Sequence, residues 1–289
     1  ASYPMEALKA QAICARTYAY IHVLSPGYPQ WNAHVDDTTA YQVYHSVAEQ
    51  NTTNQAVQET EGMVLVEPGG NALAQTYYYS TSCGYGSDAH VWRTKYADFY
   101  PYITSRAISR NPHTAQVLTE EQFAEFIKGN REEDYEAREN WYRWSYQVKQ
   151  IDVKHIYKVL KERYEANPLL ILTMDGEEFV SQPIEQFDYI KEIKIHKRGA
   201  GGVADELIIS TDKKCYKVVT ELNIRYVLND GHSKVKRQDG SSVDMKRLLP
   251  SAFICIKPIE KKGRICGYTI WGGGYGHGAG MSQNAAKSM

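Results

Sequence analysis

Two periodicities divide this chain. Residues 1–24 follow the helical period of 3.6: Leu8, Ala12, Ala15 and Ala19 fall on one narrow face of small side chains. Glu6, Lys9, Ile13, Arg16, Thr17 and Tyr20 fall on the other side. Good helix formers fill the segment, with Ser2 placed as an N-cap and Pro4 in the first turn. Residues 25–40 read as a loop. A second helix is expected over Ser46–Thr60, stopped at Gly62. The runs Met63–Val66 and Ala74–Tyr79 flank Pro68-Gly69-Gly70-Asn71, a hairpin signal.

The pattern changes over residues 117–165, a helical, insert-like segment. Thr119 and Gln122 have the spacing of a capping box. Trp141 to Val148 alternates like a strand, and Ile151 to Tyr164 returns to helix with Val153, Ile156, Tyr157 and Leu160 on one face. Strands are expected over Ile190–His196, Glu206–Ser210 and Cys215–Val219, followed by a helix over Thr220–Leu228. Residues 230–247 are polar and glycine-bearing and read as a mobile loop. No internal repeat is present. Without strict βαβ alternation, the pattern predicts an α+β fold: mixed, mainly antiparallel strands with packed helices around a substrate cleft, in one domain over 1–289.

Composition narrows the function classes. A net charge of −1 over 289 residues gives no bulk electrostatic case for nucleic acid or an anionic membrane surface. No apolar run approaches the roughly 20 residues of a membrane helix. Tyrosine is common, with 23 residues against six phenylalanines, and its flat amphipathic face suits a carbohydrate groove as well as a wet core. The five cysteines lack the short C-x-x-C spacing of a zinc site. Cys255 and Cys266 flank a charged turn between two strand-like runs, where a disulfide is open but the register is not fixed.

Two motifs carry the candidate chemistry. The C-terminal one is Gly272-Gly273-Gly274-Tyr275-Gly276-His277-Gly278-Ala279-Gly280-Met281-Ser282-Gln283, six glycines around one histidine. Such a loop costs much entropy to order, which points to close backbone approach or a ligand. His277 reads either as a loop lock or as a ligand contact, and Ser282 as a helix cap or a contact. The N-terminal motif is Pro4-Met5-Glu6-Ala7-Leu8-Lys9-Ala10-Gln11-Ala12, continued by Ala15-Arg16-Thr17-Tyr18. Its polar face holds one carboxylate and two cations, the wall of a cleft or a routine surface pair.

These motifs, together with Tyr78-Tyr79-Ser80-Thr81-Ser82-Cys83-Gly84-Tyr85 and the Trp92 that follows, resemble the family of stage II sporulation protein D (SpoIID) and the amidase enhancer LytB. The resemblance implies a bacterial enzyme of the cell envelope, outside the cytoplasm, that cuts peptidoglycan glycan strands stripped of their peptides. It places the catalytic glutamate at Glu6. It implies substrate contacts from Lys9, Arg16, Ser80, Ser82, Cys83, Tyr85, His277, Ser282 and Gln283. In the LytB branch the family is a modifier that stimulates a cell-wall amidase, so an amidase is the partner under that reading. A membrane anchor is expected upstream of this sequence. Some family members hold zinc before the Gln-x-Tyr segment. Here Asp36 to Gln42 lacks the cysteines and only His34 and His45 remain nearby, so no metal and no cofactor is expected.

A lytic transglycosylase needs a single carboxyl group. The 6-hydroxyl of the muramic acid is the nucleophile, so no carboxylate is required to activate water, unlike the paired carboxylates of hydrolytic glycosidases.

Overall fold

The structure is a computed structural model and describes residues 2–24, 26–38, 41–44, 46–70, 72–93, 97–111 and 118–289. The chain folds as two compact units, one of Ala1–Tyr78 with Gly280–Met289 and the other of Tyr79–Ala279. Among the described residues there are six α-helices and twelve strands, an α+β fold. No described helix is long and apolar enough to cross a membrane.

The smaller unit is built on helix α1 (Met5–Leu24) and helix α2 (Asn51–Glu59). The buried face of α1 is Ala7, Cys14, Thr17 and Tyr18, rotated from the small-residue face that periodicity suggests. Cys14 and Tyr18 offer more apolar area than the alanines. Hydrogen bonds fix the rotation: the Thr17 hydroxyl accepts from the Leu65 amide at 2.9 Å, and the Thr76 hydroxyl donates to the Cys14 carbonyl at 2.8 Å. Helix α2 starts later than expected because Ser46 adopts φ 51°, a left-handed conformation that no helix can include. The hairpin around Pro68 is present but short. Glu67 donates to Ala72 and Ala74 to Leu65, with one bridge between Val66 and Leu73. The two ends of the chain meet in this unit. A closing helix, Gln283–Ser288, packs on α1, where Gln283 donates to Gln11 at 3.1 Å and Tyr3 to Asn284.

The larger unit is organised by a ten-stranded sheet. Helix α3 (Glu120–Lys128) precedes it and carries the expected capping box. Strand β1 (Trp144–Val148) is followed by helix α4 (Val153–Ala166), β2 (Ile171–Asp175) and β3 (Glu178–Val180). Then come β4 (Ile190–Arg198), β5 (Ala204–Thr211), β6 (Cys215–Val219) and helix α5 (Glu221–Val227). The last four strands are β7 (Lys234–Arg237), β8 (Ser242–Asp244), β9 (Ile254–Lys261) and β10 (Arg264–Gly272). The order is β3-β2-β6-β5-β4-β10-β1-β7-β8, with β9 paired along β10, and every pair is antiparallel. Leu207, Ile209, Tyr216, Val218 and Ile270 are fully buried in it, with Ile156 and Leu160 of α4 and Ile224 of α5 also buried.

One expectation is corrected here, and one open alternative is decided. Residues 230–247 are a strand hairpin, not an irregular loop: β7 pairs with β1 through Val235↔Tyr146, and Val235 is fully buried. A buried side chain on alternate positions holds a register that polar composition hides. Cys255 lies opposite Trp271, and a bulge at Ile259/Glu260 separates it from Cys266. Both cysteines are free, so the open disulfide is not formed.

Candidate functional site

The predicted site residues divide between the two units. Glu6, Lys9, Arg16, Ser282 and Gln283 belong to the smaller one. Ser80, Ser82, Cys83, Tyr85 and His277 belong to the larger.

In the smaller unit, the Glu6 side chain stands 85% exposed in the first turn of α1. Lys9, one turn on, donates to Glu6 at 3.0 Å and lies 2.6 Å from the Glu59 carboxylate at the end of α2. The two carboxylates raise the Lys9 amine above its ordinary value, Glu59 most strongly, and Lys9 holds Glu59 below the usual carboxylate range. Arg16 does different work. Its guanidinium donates to the carbonyls of Thr60 (2.7 Å), Met63 (3.0 Å) and Val57 (3.2 Å). Val57 lies in the last turn of α2, Thr60 is its C-cap and Met63 follows in the turn beyond, a helix end where positive charge also suits the dipole. Arg16 therefore ties α2 to α1, a role that composition could not separate from substrate binding. Gln283 reaches Gln11, and Ser282 stands at the N-cap position without a side-chain capping bond. Tyr78 donates to Gln42, whose amide donates to the Ala15 carbonyl at 3.4 Å.

In the larger unit, the Ser80–Tyr85 segment and the glycine loop bind each other through the backbone. The Tyr275 amide donates to the Thr81 carbonyl at 2.7 Å and the Thr81 amide to the Tyr275 carbonyl at 3.2 Å. Glycine is required at this contact. Gly274 has φ 80° and a Cβ there would lie 2.8 Å from the Thr81 carbonyl oxygen; at Gly276, with φ 122°, it would lie 2.6 Å from Tyr79 Cβ.

Three of the predicted contacts turn inward. Ser82 is buried, and its amide and hydroxyl both donate to the fully buried Glu136 carboxylate. Cys83 is fully buried, and burial pushes its thiol up to about 12. Tyr85 is buried against Phe126, and its hydroxyl accepts from Arg131 at 3.3 Å. All three build the loop, because backbone curvature at Gly84, with φ 103°, directs consecutive side chains into the core.

Ser80 and His277 remain half-exposed. The ring of His277 is held between Trp92 (4.9 Å) and Tyr79 (5.7 Å). Its Nδ1 accepts from the Ala279 amide at 3.1 Å, so the neutral ring carries its proton on Nε2. The loop-locking role is thus real. His34 is exposed in the smaller unit, and His45 lies outside the described residues.

Sequence reasoning missed Glu59 and Glu136. Glu59 lies 50 positions from Lys9, too far for any spacing rule to join them. Glu136 sits among the crowded charges of residues 131–139, and no local signal marks its burial.

Residues 1–66 match the family described as Stage II sporulation protein (SpoIID). Residues 89–280 match a domain of unknown function (DUF8618). An amidase enhancer of Bacillus subtilis (strain 168) is 25% identical over 293 residues, covering 100% of this chain and 36% of that protein. The chain belongs to the SpoIID/LytB family and, through residues 89–280, to the DUF8618 family. An uncharacterized protein of Brachyspira hyodysenteriae (strain ATCC 49526 / WA1) is 42% identical over 93 residues, 30% of this chain and 23% of that protein. This SpoIID/LytB-family chain thus spans about a third and about a quarter of the length of these two relatives. The Glu6 motif, α1 and α2 all lie within the SpoIID match, whereas His277 falls in the second matched region.

Proposed function

We propose that this protein cleaves peptide-free peptidoglycan glycan strands outside the cytoplasm as a lytic transglycosylase, with Glu6 as the sole general acid and base. The observation that carries this reading is the position of Glu6, a solvent-facing carboxylate on a helix locked from behind by Thr17, Thr76 and Arg16. In the reaction, protonated Glu6 donates to the glycosidic oxygen as the bond to the muramic acid C1 breaks. The 6-hydroxyl of the same sugar then bonds to C1 and gives its proton to the Glu6 carboxylate. One bond forms, one breaks, no water is consumed, and the carboxyl returns to its starting state. The products are a free 4-hydroxyl and a 1,6-anhydro-muramic end. Membrane attachment, under this reading, comes from a segment outside this sequence.

The test is mass spectrometry of peptide-free strands after incubation. Wild type is expected to yield anhydro ends, and Glu6→Gln to lose them by at least about 10²–10⁴-fold. Stability should change by no more than about 1 kcal/mol, since the site is a surface pair. Wild-type activity in Glu6→Gln removes Glu6 from the role.

A second reading, stimulation of a cell-wall amidase, is favoured by a separate observation. Exposed large apolar side chains gather in the smaller unit, among them Tyr20, Leu24, Trp31, Tyr44 and Val47. Exposed apolar side chains of this size suit protein contact. If wild type makes no anhydro product but accelerates an amidase on intact walls, this reading replaces the first.

A further inference from the structure

We infer that Glu59 is a positioning residue of the Glu6 site: it, rather than Glu6, holds Lys9, leaving Glu6 to engage a glycosidic oxygen without stranding a cation. This rests on the reading of Glu6 as the acid. The geometry is asymmetric. Lys9 Nζ lies 2.6 Å from Glu59 and 3.0 Å from Glu6. Glu59 is 38% exposed and also accepts from Gln55 at 2.6 Å, whereas Glu6 is 85% exposed and takes only Lys9 among the described residues. Of the two carboxylates, Glu59 is the fixed partner and Glu6 the one that can leave.

Placement on the helix supports the same assignment. Glu59 is the last residue of α2, where the helix dipole disfavours negative charge. A residue set against its local rule calls for a compensating interaction, and Lys9 supplies it across the helix pair. When Glu6 takes up a proton, Lys9 and Glu59 remain a neutral pair, so no cation is left unpartnered. The charged groups in contact at this site are Glu6 and Lys9 on α1 and Glu59 on α2.

Two measurements test this on the full chain. The first is acetylation of the Lys9 amine by acetic anhydride, read by peptide mass spectrometry, which needs no activity. A lysine released from its strongest carboxylate is deprotonated more often and reacts faster. The expected result is a several-fold faster reaction in Glu59→Gln, and a smaller gain in Glu6→Gln. A larger gain in Glu6→Gln, or none in Glu59→Gln, overturns the assignment.

The second measurement is the pH profile of anhydro-product formation. In Glu59→Gln, Lys9 turns wholly onto Glu6 and favours its ionised form. The expected result is a several-fold loss in kcat, little change in KM, an alkaline limb displaced to lower pH, and partial recovery in Glu59→Asp. An unchanged profile overturns the positioning role. Removing a negative charge from the end of α2 favours the helix, so Glu59→Gln should fold. If wild type makes no product, the reading of Glu6 fails, while the acetylation result still decides which carboxylate holds Lys9.

Discussion

At the scale of single residues, the balance of burial against bonded partners decides which way a carboxyl shifts. Asp134 illustrates the sign. It is buried, it accepts from the Tyr142 hydroxyl at 2.6 Å, and burial raises its carboxyl above the ordinary range. A carboxyl with a raised folded-state pKa favours the native state when protonated. That contribution is lost as pH climbs from the unfolded value, about 4, through the folded one. Asp134→Asn keeps an acceptor for Tyr142 and cannot ionise. Its stability relative to wild type, read by chemical denaturation, should therefore improve as pH rises from about 4. A constant or shrinking difference would show that Asp134 stays ionised at no cost. Glu136 differs: its buried carboxylate meets the amide and hydroxyl of Ser82, which is why Ser82 belongs to the loop's frame.

At the scale of elements, α1 is a platform whose back carries the fold and whose front carries the proposed chemistry. Arg16 is the joint. It bonds three carbonyls at the end of α2 and in the turn beyond it, and a planar guanidinium reaches them where a lysine's point charge does not. Arg16→Ala should lower stability by about 2–4 kcal/mol in denaturant unfolding, several charge-assisted bonds being lost together. Arg16→Lys should recover less than half of that loss. If Arg16→Ala unfolds like wild type yet loses glycan binding, the residue faces substrate and its capping bonds are incidental. The glycine loop is the matching element of the larger unit. Its glycines are explained by close approach to Thr81 and Tyr79, so an alanine at Gly274 or Gly276 meets backbone or side-chain atoms at once.

At the scale of the whole molecule, the larger unit carries a charge network in which Arg93 bonds Asp205 and Glu206, and Lys217 lies 3.3 Å from Glu206. Burial works to raise Glu206, but Arg93 and Lys217 prevail and hold it below the usual carboxylate range. Its contribution is therefore present above the unfolded value, about 4.3, and is lost as pH falls through the folded one. The denaturation midpoint is expected to drop as pH falls from about 5 to 2, with a shallower drop in Glu206→Gln. Equal slopes in the two proteins would remove Glu206 from the acid response.

Periodicity and end signals by themselves determined the α+β class, α1, α4, the α3 capping box and most strands of the sheet, because those features depend on neighbours within a turn or a strand. The motif at Pro4–Ala12 likewise pointed to the family. Tertiary structure alone decided which face of α1 is buried, that Arg16 caps α2, that Ser82, Cys83 and Tyr85 point inward, and that Lys9 faces Glu59. It also turned residues 230–247 into a hairpin and set Cys255 against Trp271. In each case the deciding partner lies far along the chain, and the identity of a distant neighbour is set by packing and register, which no local spacing encodes.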